Sequence, residues 1–231
     1  VRGAMWFFIA ILITKIIHEL GHAYTCKFYG ARVSAIGVAF LIMWPVMFTN
    51  TSESWGLESR RAKLMISAAG MIAELCLAAC ATLLWCILPP GPLQSTCFFV
   101  ATVSWVMTIF VNLNPCMRFD GYYLLADWLG INNLQNVSFS LARWRLKTLF
   151  FGIPLAPPYA LNRRLTRTLI IYALCTWVYR LMLFLGIALL IYNKMFKALG
   201  LVLCISVTIQ MLITPIWSEL KEYYAMRSLL Q

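Results

Sequence analysis

Long apolar stretches alternate along this chain with short segments rich in basic and turn-forming residues. A helix that crosses the hydrocarbon core of a bilayer needs about 20 mainly apolar residues. Five segments reach that length, at 4–29, 63–88, 93–114, 166–192 and 196–217. A sixth apolar run, 33–48, is shorter, is interrupted by Gly37 and Pro45, and mixes β-branched with aromatic residues. That pattern suits a re-entrant hairpin better than a helix. The expected fold is an all-α polytopic membrane protein with about five transmembrane helices and a short re-entrant hairpin after the first. The segment 115–165 is the largest piece between spans, and it is too apolar for a separate soluble domain. Within it, SFSLARWRLKTLFFG sets Arg143, Arg145 and Lys147 among Phe139, Leu146, Leu149 and Phe150. An interfacial helix resting on anionic headgroups is expected there.

Composition strengthens the membrane reading. Hydrophobic residues make up 62% of the 231, charged residues only 12%, and the mean hydropathy is +0.80. A soluble domain carries about 25% charged residues, so this chain could not cover its own surface with polar groups. The net charge of +11 then reads as a lysine and arginine bias toward the cytoplasm. No basic segment is interleaved with exposed aromatics as single-strand binding requires, so no nucleic-acid partner is expected. Six of the eight cysteines lie in or at the ends of apolar runs and no CxxC occurs, which fits buried free thiols. No basic run followed by a cleavage site opens the chain, and no signal peptide is expected.

Charge placement also decides the topology. Suppose 33–48 does not cross. Then only Arg2, Lys194 and Lys197 of the 19 basic residues fall on one side, and Lys15 and Arg180 lie inside spans. All the others gather on the opposite side. If 33–48 crossed, most would change sides and the separation would blur. The positive-inside rule therefore favours five spans, with the basic side cytoplasmic, as in a bacterial inner membrane. The uncharged turn Pro89-Pro90-Gly91-Pro92 lies outside.

Into the first span the sequence sets KIIHELGHAYTCKFYG, residues 15–30, which holds both histidines of the chain, His18 and His22, with Glu19 between them. Residues four apart share a helix face, so both imidazoles can reach one metal ion. Glu19, about 100° around the helix, lies beside an open coordination position, where it could act as general base toward water. The plainer alternative is a pair of polar residues hydrogen-bonded inside the bundle. Catalytic zinc takes three protein ligands, so a third is needed from Glu53, Glu58, Glu74, Asp120, Asp127, Glu219 or Glu222. The first and third spans both end on the cytoplasmic side. Asp120 follows the third within NLNPCMRFDGYY, where Pro115 ends the helix and Gly121 permits a tight turn. Asp120 is thus the expected third ligand, with a helix cap ahead of GYYLLADWLG as its alternative role.

These residues carry a resemblance. HELGH in the first core span, followed at a distance by N-x-x-P-x-P-x-x-D-G, resembles the site-2 protease family of intramembrane zinc metalloproteases. The second motif reads Asn112, Pro115, Met117, Asp120 and Gly121, so Met117 replaces the second proline. AAGMIAEL is similar to the family's AGPxxN segment, with Met71 and Glu74 in its proline and asparagine positions. NPCMRFDGYYLLADWLGINNL looks most like the branch that bears the name peptide zinc metalloprotease, some of whose members join a periplasmic adaptor domain. The resemblance runs over about residues 5–130. It implies Zn2+ held by His18, His22 and Asp120, with Glu19 as general base and peptide hydrolysis within the membrane. It further implies that Asn112 bonds the substrate backbone and that the hairpin pairs with an unwound peptide. The expected organisation is a catalytic membrane core at 1–130, a cytoplasmic interfacial segment at 131–165, and two additional helices at 166–231.

Two other readings compete with this one. A non-catalytic subunit of a peptide-export or adaptor assembly would keep the site for structure, a reading that Met117 and the two extra helices favour modestly. A transporter would want two related halves, and none are found. Three further ionisable groups lie in spans: Lys15 could pair with Glu19, pair with Glu74 or face a water-filled cavity, Glu74 is expected to make structural hydrogen bonds, and Arg180 is expected to find a carboxylate or a backbone carbonyl.

Overall fold

The structure is a computed structural model that describes residues 2–41, 44–151 and 156–213. It divides into two compact units, Val1–Leu134 and Gln135–Gln231.

The first unit is built on three apolar helices: α1 (Arg2–Phe28), α2 (Arg60–Ile87) and α3 (Pro92–Val106), the last continued by a π-helical turn over Met107–Asn112. Each packs against the other two. The residues buried between them are mostly small, including Ala10, Ala69, Ala78, Ala81 and Ala101. Small side chains let helix backbones approach closely, which is how helices associate where lipid is as apolar as the protein. Gly21 marks a close approach of α1 to α2, since a Cβ there would stand 2.8 Å from the carbonyl oxygen of Ala69 and 2.9 Å from the Ala73 Cβ. The large apolar side chains point outward instead, among them Leu12, Leu83, Ile87 and Phe110. Ser59 caps α2, its hydroxyl accepting from the Ala62 amide. Pro92 opens α3 in its first turn, where the missing N–H costs nothing.

Between α1 and α2 the run 33–48 contributes two paired strands. Strands β1 (Ala35–Leu41) and β2 (Trp44–Asn50) pair antiparallel, with Ala35 opposite Asn50 and Leu41 opposite Trp44. β2 lies along α1, and the Thr49 hydroxyl donates to the carbonyl oxygen of Glu19 at 3.1 Å. After the π-helical turn comes α4 (Asp120–Leu129), closed by Gly130 in the left-handed region at φ 70°.

The second unit holds α5 (Leu134–Phe151), α6 (Arg163–Lys194) and α7 (Lys197–Thr208), the last followed by a π-helical turn over Ile209–Ile213. α5 buries Leu134, Gln135, Ser138, Leu141 and Ala142, a spacing of three and four that marks one face, and exposes Arg143 and Arg145. Arg180 of α6 donates to the side-chain oxygen of Gln135 at 2.9 Å and lies 5.7 Å from the Phe139 ring centroid.

Among the described residues, four helices are long and apolar enough to cross a membrane: Phe7–Phe28, Arg60–Ile87, Pro92–Asn112 and Arg163–Lys194. Lys197–Met211 is apolar but shorter. The end of the expected fifth span, at 196–217, lies outside the described residues, as do Glu219 and Glu222.

Candidate metal centre

Helix α1 carries His18 and His22 one turn apart, and both are buried. Each imidazole turns its Nδ1 away from the other. The His22 Nδ1 lies 2.8 Å from the backbone oxygen of Ile66 on α2. That oxygen can only accept, so Nδ1 carries the hydrogen and Nε2 is left with a lone pair. The His18 Nδ1 faces Oε2 of Glu74 at 3.4 Å. The two Nε2 atoms face each other at 3.2 Å.

The third group arrives from α4. Asp120 is the first residue of that helix, one beyond the capping position at Phe119. Its Oδ2 lies 2.9 Å from the His18 Nε2 and 3.5 Å from the His22 Nε2. α4 is fixed in turn by α2. The Ser67 hydroxyl donates to Asp127 Oδ2 at 2.6 Å, and the Arg60 Nε donates to the Asp127 carbonyl at 3.2 Å. Asp120 and Asp127 are two helical turns apart on one face, so the bonds at Asp127 set the direction of Asp120.

Gly121 is required here by proximity rather than by its backbone angles. A Cβ at that position would run into the Leu113 carbonyl and stand 3.0 Å from the Asn112 oxygen. The tight turn expected of it is replaced by close passage of α4 beneath the end of α3.

The donor set fits zinc. In a tetrahedral site with ligand bonds of about 2.0–2.2 Å, neighbouring ligand atoms stand about 3.3–3.6 Å apart. The separations of 2.9, 3.2 and 3.5 Å approach that spacing, and the three residues form a group able to hold one ion. Asp120 Oδ2 is buried without a hydrogen-bond partner. Gly70 of α2 leaves the space: a Cβ there would touch His22 Nε2 and come within 2.7 Å of His18 Nε2.

Glu19 sits on α1 between the histidines and is half-buried. Asn112, expected to meet substrate, is buried in the π-helical turn with its amide nitrogen 2.5 Å from Glu74 Oε2. Glu74 is fully buried. It also accepts from the Thr108 hydroxyl at 2.7 Å and pairs with Lys15 at 3.3 Å, so Lys15 reaches Glu74, the second of its two expected partners. The sequence reading missed Gly70, the Ile66 carbonyl and the Ser67–Asp127 bond. Gly70 alone left a trace, as the glycine of AAGMIAEL.

Residues 6–90 match the family model described as peptidase family M50. This stretch resembles members of peptidase family M50. It contains HELGH and AAGMIAEL and stops short of Asp120, whose place beside the histidines rests on the geometry. Over 156 residues the chain is 26% identical to the protein named "Putative peptide zinc metalloprotease protein YydH" of Bacillus subtilis (strain 168). That match covers 66% of this chain, and the chain spans about 59% of the relative's length. The relative is named a peptide zinc metalloprotease, and among the described residues of this chain four helices are long and apolar enough to cross a membrane.

Proposed function

We propose that this chain is an intramembrane zinc metalloprotease that hydrolyses peptide bonds of membrane-embedded or membrane-associated peptides. One observation carries the reading: two imidazole Nε2 atoms and a carboxylate oxygen from distant parts of the chain converge in a buried site at spacings suited to one tetrahedral ion. His18, His22 and Asp120 would hold Zn2+, which supplies Lewis acidity toward a scissile carbonyl and toward water. Glu19 takes the proton from the attacking water, a general-base role worth about 10²–10⁴-fold in rate. The hairpin, tied to α1 beside Glu19 through Thr49, re-enters the membrane from the cytoplasmic side and receives an unwound peptide as an added strand. Unwinding is needed because a helical substrate hides its carbonyls in its own hydrogen bonds. Asn112, with its amide nitrogen engaged by Glu74, offers a substrate backbone its side-chain oxygen. On this reading the site faces the cytoplasm of a bacterial inner membrane, which the basic bias supports, with α5 on the headgroups.

Metal content and cleavage of a membrane peptide together test the proposal. The native chain should carry about one zinc per molecule, as expected of a three-ligand site, and Asp120→Ala should carry none. Glu19→Gln should keep its zinc and lose cleavage. Equal zinc in the native chain and Asp120→Ala would refute the ligand set; unchanged cleavage by Glu19→Gln would refute the catalytic role.

A further inference from the structure

Glu74 is an ionisable side chain with no exposed surface in the middle of a helix that can cross the membrane. Such a group is costly unless its partners are arranged around it. Four surround this one. Lys15 Nζ lies 3.3 Å from Oε1, while the Thr108 hydroxyl and the Asn112 amide nitrogen lie 2.7 and 2.5 Å from Oε2. The fourth is His18 Nδ1, 3.4 Å from Oε2 and buried without another hydrogen-bond partner.

The donors come from elements shaped to meet the carboxylate. Lys15 lies on α1 one residue short of a full turn before His18. Thr108 and Asn112 are four apart in the π-helical turn, whose wider winding keeps such residues on one face. An α2 residue thus receives groups from α1 and from the end of α3 at the depth of the histidines.

A histidine that ligates a metal through Nε2 commonly donates Nδ1–H to a carboxylate or a carbonyl, which fixes the tautomer and raises ligand basicity. His22 has a carbonyl for this, from Ile66. We propose that Glu74 does the same for His18: it is a positioning residue that holds the imidazole with Nε2 toward the ion, while Lys15 balances its charge and Thr108 and Asn112 fix its oxygens. The proposal rests on the zinc site of the preceding section. The 3.4 Å separation is long for a hydrogen bond, and contraction on metal binding completes it. The carboxylate at residue 74 explains why Lys15 is inside the span, since a neutral amide there would need no cation. It also explains why Asn112 turns its nitrogen inward.

The test uses the full chain in detergent, loaded with zinc or with cobalt as a spectroscopic substitute. Zinc affinity is measured by competition with a chelator, and the visible ligand-field bands are recorded at saturating cobalt. Glu74→Leu combined with Lys15→Met removes acceptor and cation together, so no unpaired charge is left to unfold the bundle. This pair should weaken zinc binding by about 10–100-fold and shift the cobalt bands. Glu74→Gln with Lys15→Met restores a neutral acceptor and should recover part of both. A purely structural role would leave the cobalt spectrum at saturation unchanged. Native affinity and native bands in the leucine pair would overturn the proposal while leaving the zinc site standing. Absence of zinc from the native chain would overturn both, and Asp120→Ala separates the cases by losing metal whatever Glu74 does.

Discussion

Two imidazole nitrogens and a carboxylate oxygen meet in one buried site, and lone pairs facing one another there call for a proton or a metal ion among them. With Nδ1 of His22 committed to the Ile66 carbonyl and Nδ1 of His18 facing Glu74, the two Nε2 atoms and Asp120 Oδ2 repel one another unless a proton or a metal ion stands between. The residue that makes room for the ion is Gly70. An added Cβ would come closer to both imidazoles than side chains tolerate, so the rings would have to swing apart and the Nε2 spacing would be lost. Gly70→Ala should therefore abolish zinc binding nearly as fully as Asp120→Ala, while its melting temperature in detergent stays within a few degrees of the metal-free native chain. Native-like zinc content in Gly70→Ala would show that the ion is held elsewhere. At this scale the sequence was informative where chemistry is carried by residue type. His18, His22 and Asp120 were legible because few side chains bind zinc and the chain has only two histidines. The Ile66 carbonyl was not, because every residue has one and only the packing of α1 on α2 selects it.

Among the elements, α2 organises the site although it supplies none of the proposed ligands. Ile66, Ser67, Gly70 and Glu74 follow one another along its inner face, touching respectively His22, α4, both imidazoles and His18. The hold on α4 is the most open to a quantitative test. Ser67→Ala removes the hydroxyl at 2.6 Å from Asp127, a hydrogen bond to a charged group worth about 1.5–3 kcal/mol. Arg60 still binds the Asp127 carbonyl, so α4 should loosen rather than detach. Zinc affinity should fall, by less than about 100-fold, the upper range for residues that support a ligand. Calorimetric titration of the metal-free protein would measure it, and affinity equal to the native chain would mean that α4 is placed without this bond. Long apolar runs made the helices readable, and Gly37 and Pro45 excluded a helix at 33–48. The π-helical turn over Met107–Asn112 was not readable, because no local residue preference distinguishes it from the α-helix it continues. It is stabilised by what Thr108 and Asn112 reach on another helix, and such tertiary bonds leave no local signal.

Across the whole molecule the decisive question is which side of the membrane each loop occupies. The separation of basic residues required the hairpin at 33–48 to stay on one side, and the same arrangement puts the ends of the first and third spans together. The meeting of Asp120 with His18 and His22 has the same requirement, though it uses no information about charge. Had the hairpin crossed, α2 would run in the opposite sense, and the carboxylate would lie a bilayer thickness, about 30 Å, from the imidazoles. Reporter fusions decide this directly. A reporter active only outside the cytoplasm, joined after Gly91 in the turn between α2 and α3, should be active; joined after Pro157, between α5 and α6, it should be silent. A reporter that fluoresces only in the cytoplasm should give the reverse pattern. Activity outside at both junctions would mean that the third span does not cross, and Asp120 could then not approach the histidines from the cytoplasmic side. Reversal of both signals would preserve the metal site but turn it away from the cytoplasm, which would leave the concentration of basic residues near Asp120 without its electrostatic cause.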